Sequence, residues 1–311
     1  INCVVQDKIL YSAKLLEYMD NIKKSIDKKI EFNSSKNIFA DKEGLFVFIK
    51  ETTDAISCIN QLDKDAENIL IDYTLAKSLK EFCRVNQYYS FNTQSKNELR
   101  EIYVDLFKKI RKGEIPIAEI SENHYQQLQY WLIKCNPFAE KIYAGNNYQL
   151  EAIACSEYSP ELQIAVLGID LKHIKQPVLD IGCGTQGNLV NFLNNQNIEA
   201  YGIDRFTIAE SMLTNSDWLE FDYGIEKWGC IISNLGFSNH FIHHNLRNDG
   251  NYINYAKTYM AILQSLKKGG SFYYAPELAF IEIYLDKRAY HIENRMISGN
   301  DFKASIITKL N

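Results

Sequence analysis

The stretch Asp180-Ile-Gly-Cys-Gly-Thr-Gln-Gly187 sets a carboxylate directly before three closely spaced glycines. Gly182, Gly184 and Gly187 fit the spacing G-x-G-x-x-G, in which missing side chains let a backbone approach a ligand and a following helix presents its positive end. Taken alone, that spacing describes a dinucleotide loop. Asp180 points to another charge, because a pyrophosphate resting on the helix start would be repelled by it and a cation would not.

A second group of chemistry-bearing residues lies in Ser233-Asn-Leu-Gly-Phe-Ser-Asn-His-Phe-Ile-His-His244, which carries three of the six histidines of the chain. Imidazole titrates in the range a general base needs. If the segment is helical from about residue 238, His240 and His244 share a face, and His240 is the favoured base, with His244 and Asn234 beside it. His243 is a candidate contact to the substrate. The same cluster has the ligand types for a metal, but no carboxylate at ligand spacing within it. Only Asp249 and Glu277 could approach from elsewhere, and no metal is expected. The seven cysteines form no C-x-x-C pair and read as reduced, cytosolic thiols rather than a zinc site or a disulfide framework.

Two kinds of element must position these groups. Up to about residue 150 the apolar spacing is helical: Ile9, Leu15, Leu16, Met19, Ile22 and Ile26 in a first segment, then helices near 64–83, 95–112 and 121–134. The third of these segments begins at Ser95 and ends in Lys108, Lys109, Arg111 and Lys112 before Gly113 and Pro116, so its basic cluster suits a helix C-terminus. Residues 30–50 fit either short strands or a buried helix. From about residue 159 apolar strands alternate with helices, the pattern of a parallel sheet covered on both faces. Ser159-Pro160-Glu161 starts a helix. Strands are expected at 178–181, 200–203, 218–221, 230–233 and 271–275, with a helix over 252–266 and a closing antiparallel hairpin of 290–297 and 302–310.

These features together resemble the class I S-adenosylmethionine-dependent methyltransferases over residues 155–311. The resemblance rests on Val178-Leu-Asp-Ile-Gly-Cys-Gly-Thr185, Tyr201-Gly-Ile-Asp204, Leu266-Lys-Lys-Gly-Gly-Ser-Phe272 and the terminal hairpin. It implies a seven-stranded Rossmann-like α/β sheet over residues 151–311, preceded by a mainly α-helical domain over residues 1–150 that helps build the acceptor pocket, a lid or a docking surface. It implies S-adenosylmethionine on Asp180, Gly182, Cys183 and Gly184, its ribose on Asp204, its adenine against Phe206, Asp222 and Tyr223, and Asn234 near the methyl group. Gln186, which precedes Gly187, departs from the common family loop. Asn234-Leu-Gly-Phe237 echoes the Asn-Pro-Pro-aromatic motif of methyltransferases acting on planar amino groups, without its prolines, and makes Phe237 a candidate substrate contact. Glu277 and Tyr158 are candidates for the same mouth, the latter in the segment Tyr148 to Tyr158.

A formal net charge of −5 gives no global attraction to phosphate backbones or anionic membranes. With no apolar run long enough to cross a bilayer, a soluble, cytoplasmic enzyme acting on oxygen or nitrogen of a small-molecule acceptor is expected. Methylation of RNA or of a protein or peptide, a non-catalytic binding protein of the same fold, and a dinucleotide oxidoreductase are the alternatives.

Overall fold

The computed structural model describes residues 2–33, 37, 42–143, 153 and 157–311. They fall into two units, Ile1–Cys155 and Ser156–Asn311.

In the first unit six helices follow one another: α1 (Asn2–Phe32), α2 (Lys42–Ile59), α3 (Lys64–Val85), α4 (Thr93–Lys112), α5 (Ile117–Cys135) and α6 (Ala139–Tyr143). Met19, Ile22 and Ile26 turn inward at helical spacing, while Leu16 is exposed. The ambiguous 30–50 stretch contains the end of α1 and the start of α2, and no strand among its described residues. Helix α4 starts earlier than expected because Asn92, not Ser95, is its N-cap: Asn92 Oδ1 accepts from Ser95 N and Ser95 Oγ, both at 2.8 Å. Gly113 ends it in the left-handed conformation, and Pro116 holds the N-cap position of α5. Its basic last turn is tied to acids: Lys109 to Asp105 at 2.6 Å and Arg111 to Glu67 at 2.6 Å. Among the described residues, no helix is long and apolar enough to cross a membrane.

The second unit alternates as the pattern requires. Helix α7 (Pro160–Leu167) is capped by Ser159, whose side chain accepts from Leu162 N. Then come β1 (Val178–Ile181), α8 (Asn188–Asn195), β2 (Ala200–Asp204), β3 (Leu213–Asn215), β4 (Trp228–Asn234), α9 (Phe237–Asn245), α10 (Tyr252–Ser265), β5 (Leu266–Ala275), α11 (Ala279–Glu282), β6 (Tyr290–Met296) and β7 (Lys303–Lys309). The strands form one sheet in the order β3-β2-β1-β4-β5-β7-β6. The first five run parallel, and β7 enters antiparallel to both β5 and β6.

Alternation along the strands builds a core on each face. Leu179, Ile181 and Ile231 pack with Tyr255, Tyr259 and Ile262 of α10 on one side. Val178, Cys230 and Ile232 pack with Leu189, Val190 and Leu193 of α8 on the other.

Two corrections concern the sheet. The third strand is Leu213–Asn215, not 218–221. Asp217 coils the latter segment into a turn: its side chain accepts from Leu219 N at 2.9 Å and its carbonyl from Glu220 N and Phe221 N at 3.0 Å. Strand β5 begins at Leu266, so Lys267 to Gly270 lie within it.

The hairpin is anchored by a carboxylate that the sequence does not advertise. Glu282 is buried, and its Oε1 accepts from Tyr274 Oη at 2.6 Å, Leu278 N at 2.8 Å and Ser305 Oγ at 2.7 Å, joining β5, α11 and β7. Replacing it with leucine leaves those donors buried and unsatisfied. Glu282→Leu is expected to cost about 3 kcal/mol, measured by urea unfolding, whereas Glu282→Gln retains part of the network.

Candidate functional site

The carboxyl ends of β1, β2 and β4 carry the residues in question, on the edge where open parallel sheets hold ligands. After β1 the backbone turns sharply: Gly182, Gly184 and Gly187 have φ of 78°, 77° and 60°. L residues rarely adopt that conformation, which explains the glycines. Gly182 N and Cys183 N donate to Ile203 O at 2.8 and 3.1 Å, pinning the loop to β2. The Cys183 side chain lies over Gly202, where an added Cβ would come within 2.7 Å of its sulfur, and burial pushes the thiol pKa up. Helix α8 then starts from Gly187.

Asp180 is buried, and its Oδ2 has no hydrogen-bond partner. Burial, reinforced by Asp204, raises its pKa to about 7. Asp204 ends β2, and its Oδ1 accepts from Phe206 N at 2.8 Å. Burial raises its pKa too, partly offset by that hydrogen bond. Phe206 is half-buried, with Arg205 5.2 Å from its ring centroid. A third carboxylate, Glu157, reaches the loop and accepts from Thr185 N at 2.9 Å. Sequence reasoning missed it, because Glu157 lies well before the motif it joins.

On the next strand Asn234 ends β4 opposite Ala275, and its Oδ1 is likewise buried without a partner. Beyond it Leu235 takes φ 57°, an unusual conformation for a branched residue and one that concentrates at functional sites.

The sheet order, with β7 antiparallel between β5 and β6, and the acid-glycine loop at its centre decide the architecture. The Ser156–Asn311 unit has the class I methyltransferase fold. No family model and no curated protein matches the chain. Among solved structures, an S-adenosylmethionine-dependent methyltransferase from Methanosarcina mazei is similar at 12% identity and TM-score 0.32, over 45% of this chain and 96% of that one. A methyltransferase from Pyrococcus furiosus is similar at 11% identity and TM-score 0.33, over 59% and 98%. The plantazolicin methyltransferase BpumL, solved with a desmethyl plantazolicin analogue and SAH, is similar at 12% identity and TM-score 0.34, over 68% and 98%.

Within the Ser156–Asn311 unit several expected residues lie elsewhere than anticipated. Asp222 and Tyr223 do not follow the third strand. Asp222 is exposed and accepts from Gly224 N at 3.0 Å, and Tyr223 is buried, its hydroxyl donating to Trp218 O at 2.9 Å. The acid that follows β3 is Asp217, which is buried. Phe237 is fully buried in the core, edge-on to Trp218 at 6.1 Å, and so has no face for a substrate. Glu277 accepts from Lys303 N at 2.6 Å and thereby fixes the start of β7. Tyr158 is half-buried, and its carbonyl accepts from Gln163 Nε2 at 3.0 Å, whereas Tyr148 lies outside the described residues.

The histidines do sit on a helix, and His240 and His244 share its buried face. His240 stands edge-on to Trp218 with ring centroids 4.7 Å apart, and its Nδ1 is 3.3 Å from Tyr255 Oη. Burial, with Arg205 and the other two histidines, holds its pKa well below 6.5, so it stays neutral and is a poor proton acceptor. That environment corrects the expectation of a base at this position. His244 stacks on Tyr255 at 4.9 Å, and its Nδ1 accepts from Asn251 N at 3.2 Å, which makes it a packing group. His243 is half-buried, with burial lowering its pKa to about 4. Among the described residues, no group of three or more His, Cys, Asp or Glu side chains is placed to hold a metal ion.

The raised pKa of Asp180 has a thermodynamic consequence. Its native form binds a proton that the unfolded chain has already released between about pH 4 and 7, so stability from this group is full below that window and is lost as pH rises through it. Asp180→Asn is therefore expected to be more stable than the wild type at pH 8, with the difference vanishing near pH 4, as thermal unfolding at both pH values would read.

Proposed function

We propose that the Ser156–Asn311 unit binds S-adenosylmethionine and transfers its methyl group to oxygen or nitrogen of a small-molecule acceptor. The observation that carries the reading is the pair of buried acceptor atoms without donors, Asp180 Oδ2 and Asn234 Oδ1, at the carboxyl ends of neighbouring strands. A buried acceptor left open costs free energy, and a ligand with a positive charge and N–H donors removes that cost. The α-ammonium and sulfonium of S-adenosylmethionine have those properties. A dinucleotide phosphate does not: Asp180, Asp204 and the Glu157 carboxylate on Thr185 N surround the loop with negative charge.

The remaining groups fit the same ligand. The glycine loop gives close backbone approach, Asp204 supplies an acceptor for ribose hydroxyls, and Phe206 offers an aromatic face. Asp217, in place of Asp222, is the acid at the end of the third strand and takes the adenine amino group. Bound there, the cofactor supplies a methyl group on an electrophilic sulfonium. The chain contributes position and charge: Asp180 orients the cation, and Trp218, wedged between Gly182, Gly236 and His240, shapes the wall. His240 fixes Trp218 and Tyr255 and holds no proton for transfer. His243 and Tyr158 remain the candidates for acceptor contact. The acidic net charge of −5 and the ion-paired last turn of α4 favour a small acceptor over RNA.

Calorimetric titration of S-adenosylhomocysteine, with NADH in parallel, tests the cofactor. Saturable binding is expected for the wild type, weakened about 100-fold in Asp204→Ala by loss of two charge-assisted hydrogen bonds. Binding of NADH with no response to the homocysteine ligand would return the chain to the dinucleotide reading. Once an acceptor is found, the pH–rate profile should show no step near pH 6.5 that His240→Asn removes. A step abolished by that substitution would restore His240 as the base.

A further inference from the structure

The helical unit contains a large opening that packing alone does not explain. A cavity of about 120 Å³ lies among α1 to α5, walled by apolar side chains such as Ile22, Phe48, Leu106 and Leu128. Packed interiors normally leave few voids larger than a water, and a cavity of this size has room for a small apolar group.

One charged group in that wall is without a counter-ion. Lys29 Nζ lies 4.8 Å from the Phe48 ring centroid and donates to Thr52 Oγ1 at 3.3 Å. No carboxylate among the described residues lies within 4.0 Å of it. Glu51, the acid whose charge it feels, pairs with Lys28 at 3.5 Å. Glu81, the carboxylate that lines the opening, is held in a fork by Arg84 at 2.7 and 2.8 Å. His124 lies on the other side of Phe48, 5.6 Å between ring centroids, and burial lowers its pKa to about 3, so it adds polarity without charge. The wall therefore presents one desolvated cation in an apolar surround. Burial lowers Lys29 to about 8, which measures how poorly its charge is compensated at present.

We propose that this cavity binds an apolar monocarboxylate, with its carboxylate on Lys29 and its hydrocarbon body among the side chains of α1 to α5. A single ammonium matches a monoanion; a phosphate monoester would bring a second charge, and Lys29 is the one cation in the lining among the described residues. The remaining lining is uncharged apart from the Glu81 that Arg84 holds, so an acyl or aryl body gains from burial there. The proposal stands on the helical unit and requires no methyl transfer.

The test titrates dodecanoate, below its micellar concentration, and dodecan-1-ol into the full chain by calorimetry. Wild type is expected to bind the acid saturably and more tightly than the alcohol. In Lys29→Met, which keeps length and removes charge, the acid should weaken by about tenfold or more while the alcohol is unchanged. Ala55→Phe, which places a ring in the cavity, should abolish both. Binding of S-adenosylhomocysteine is read in each variant, so that failure of the cofactor reading is told apart from failure of this one. Equal binding of acid and alcohol, no effect of Lys29→Met, or no saturable binding to the wild type would each overturn the proposal.

Discussion

The Ser156–Asn311 unit is organised around buried carboxyl groups. Asp180 sits buried at the end of the central strand with a second carboxylate, Asp204, raising its pKa further. Taking both out of water costs free energy, as their raised pKa values register. In β1 the same alternation that sends Leu179 and Ile181 to one face of the sheet sends Asp180 to the other. The glycine loop, the left-handed Leu235 and the turn at Asp217 then surround that charge with backbone rather than side chains.

The wall beyond the loop is aromatic and neutral. Trp218, Phe237, His240, Tyr255 and Phe241 interlock by edge and face contacts, and the His240 Nδ1 lies 3.3 Å from the Tyr255 hydroxyl. This wall packs on the face of the sheet that carries Leu179 and Ile181. The buried Glu282 does comparable work at the far edge, where it locks the antiparallel strand that completes the sheet.

Strong periodicity made much of this legible in the sequence. The buried strands β1, β2 and β4, the glycine loop, Asp204, the Ser159 cap and the closing hairpin all follow from local patterns. β3 did not, because three residues with one buried side chain carry no alternation, while the apolar Trp218-Leu-Glu-Phe221 imitates a strand. That error placed the expected acid at Asp222, whereas the acid that follows β3 is Asp217. His240 was legible as a helical residue but not as a neutral one, since its burial comes from Tyr255 and Trp218, both distant in sequence. Glu157, Glu282 and the cavity around Lys29 depend on contacts between separate elements, and no local spacing encodes them.

The seating of Cys183 on Gly202 carries a constraint of a different kind. The space above β2 that a Cβ at 202 would need is already filled by the sulfur of the loop, and by Val190 of the following helix at 2.9 Å. A larger residue at 202 is tolerable only if both Cys183 and Val190 give way. Gly202 thus lets the loop and the helix that follows it close on one point of β2, and a change of size at any of the three positions is felt at the other two.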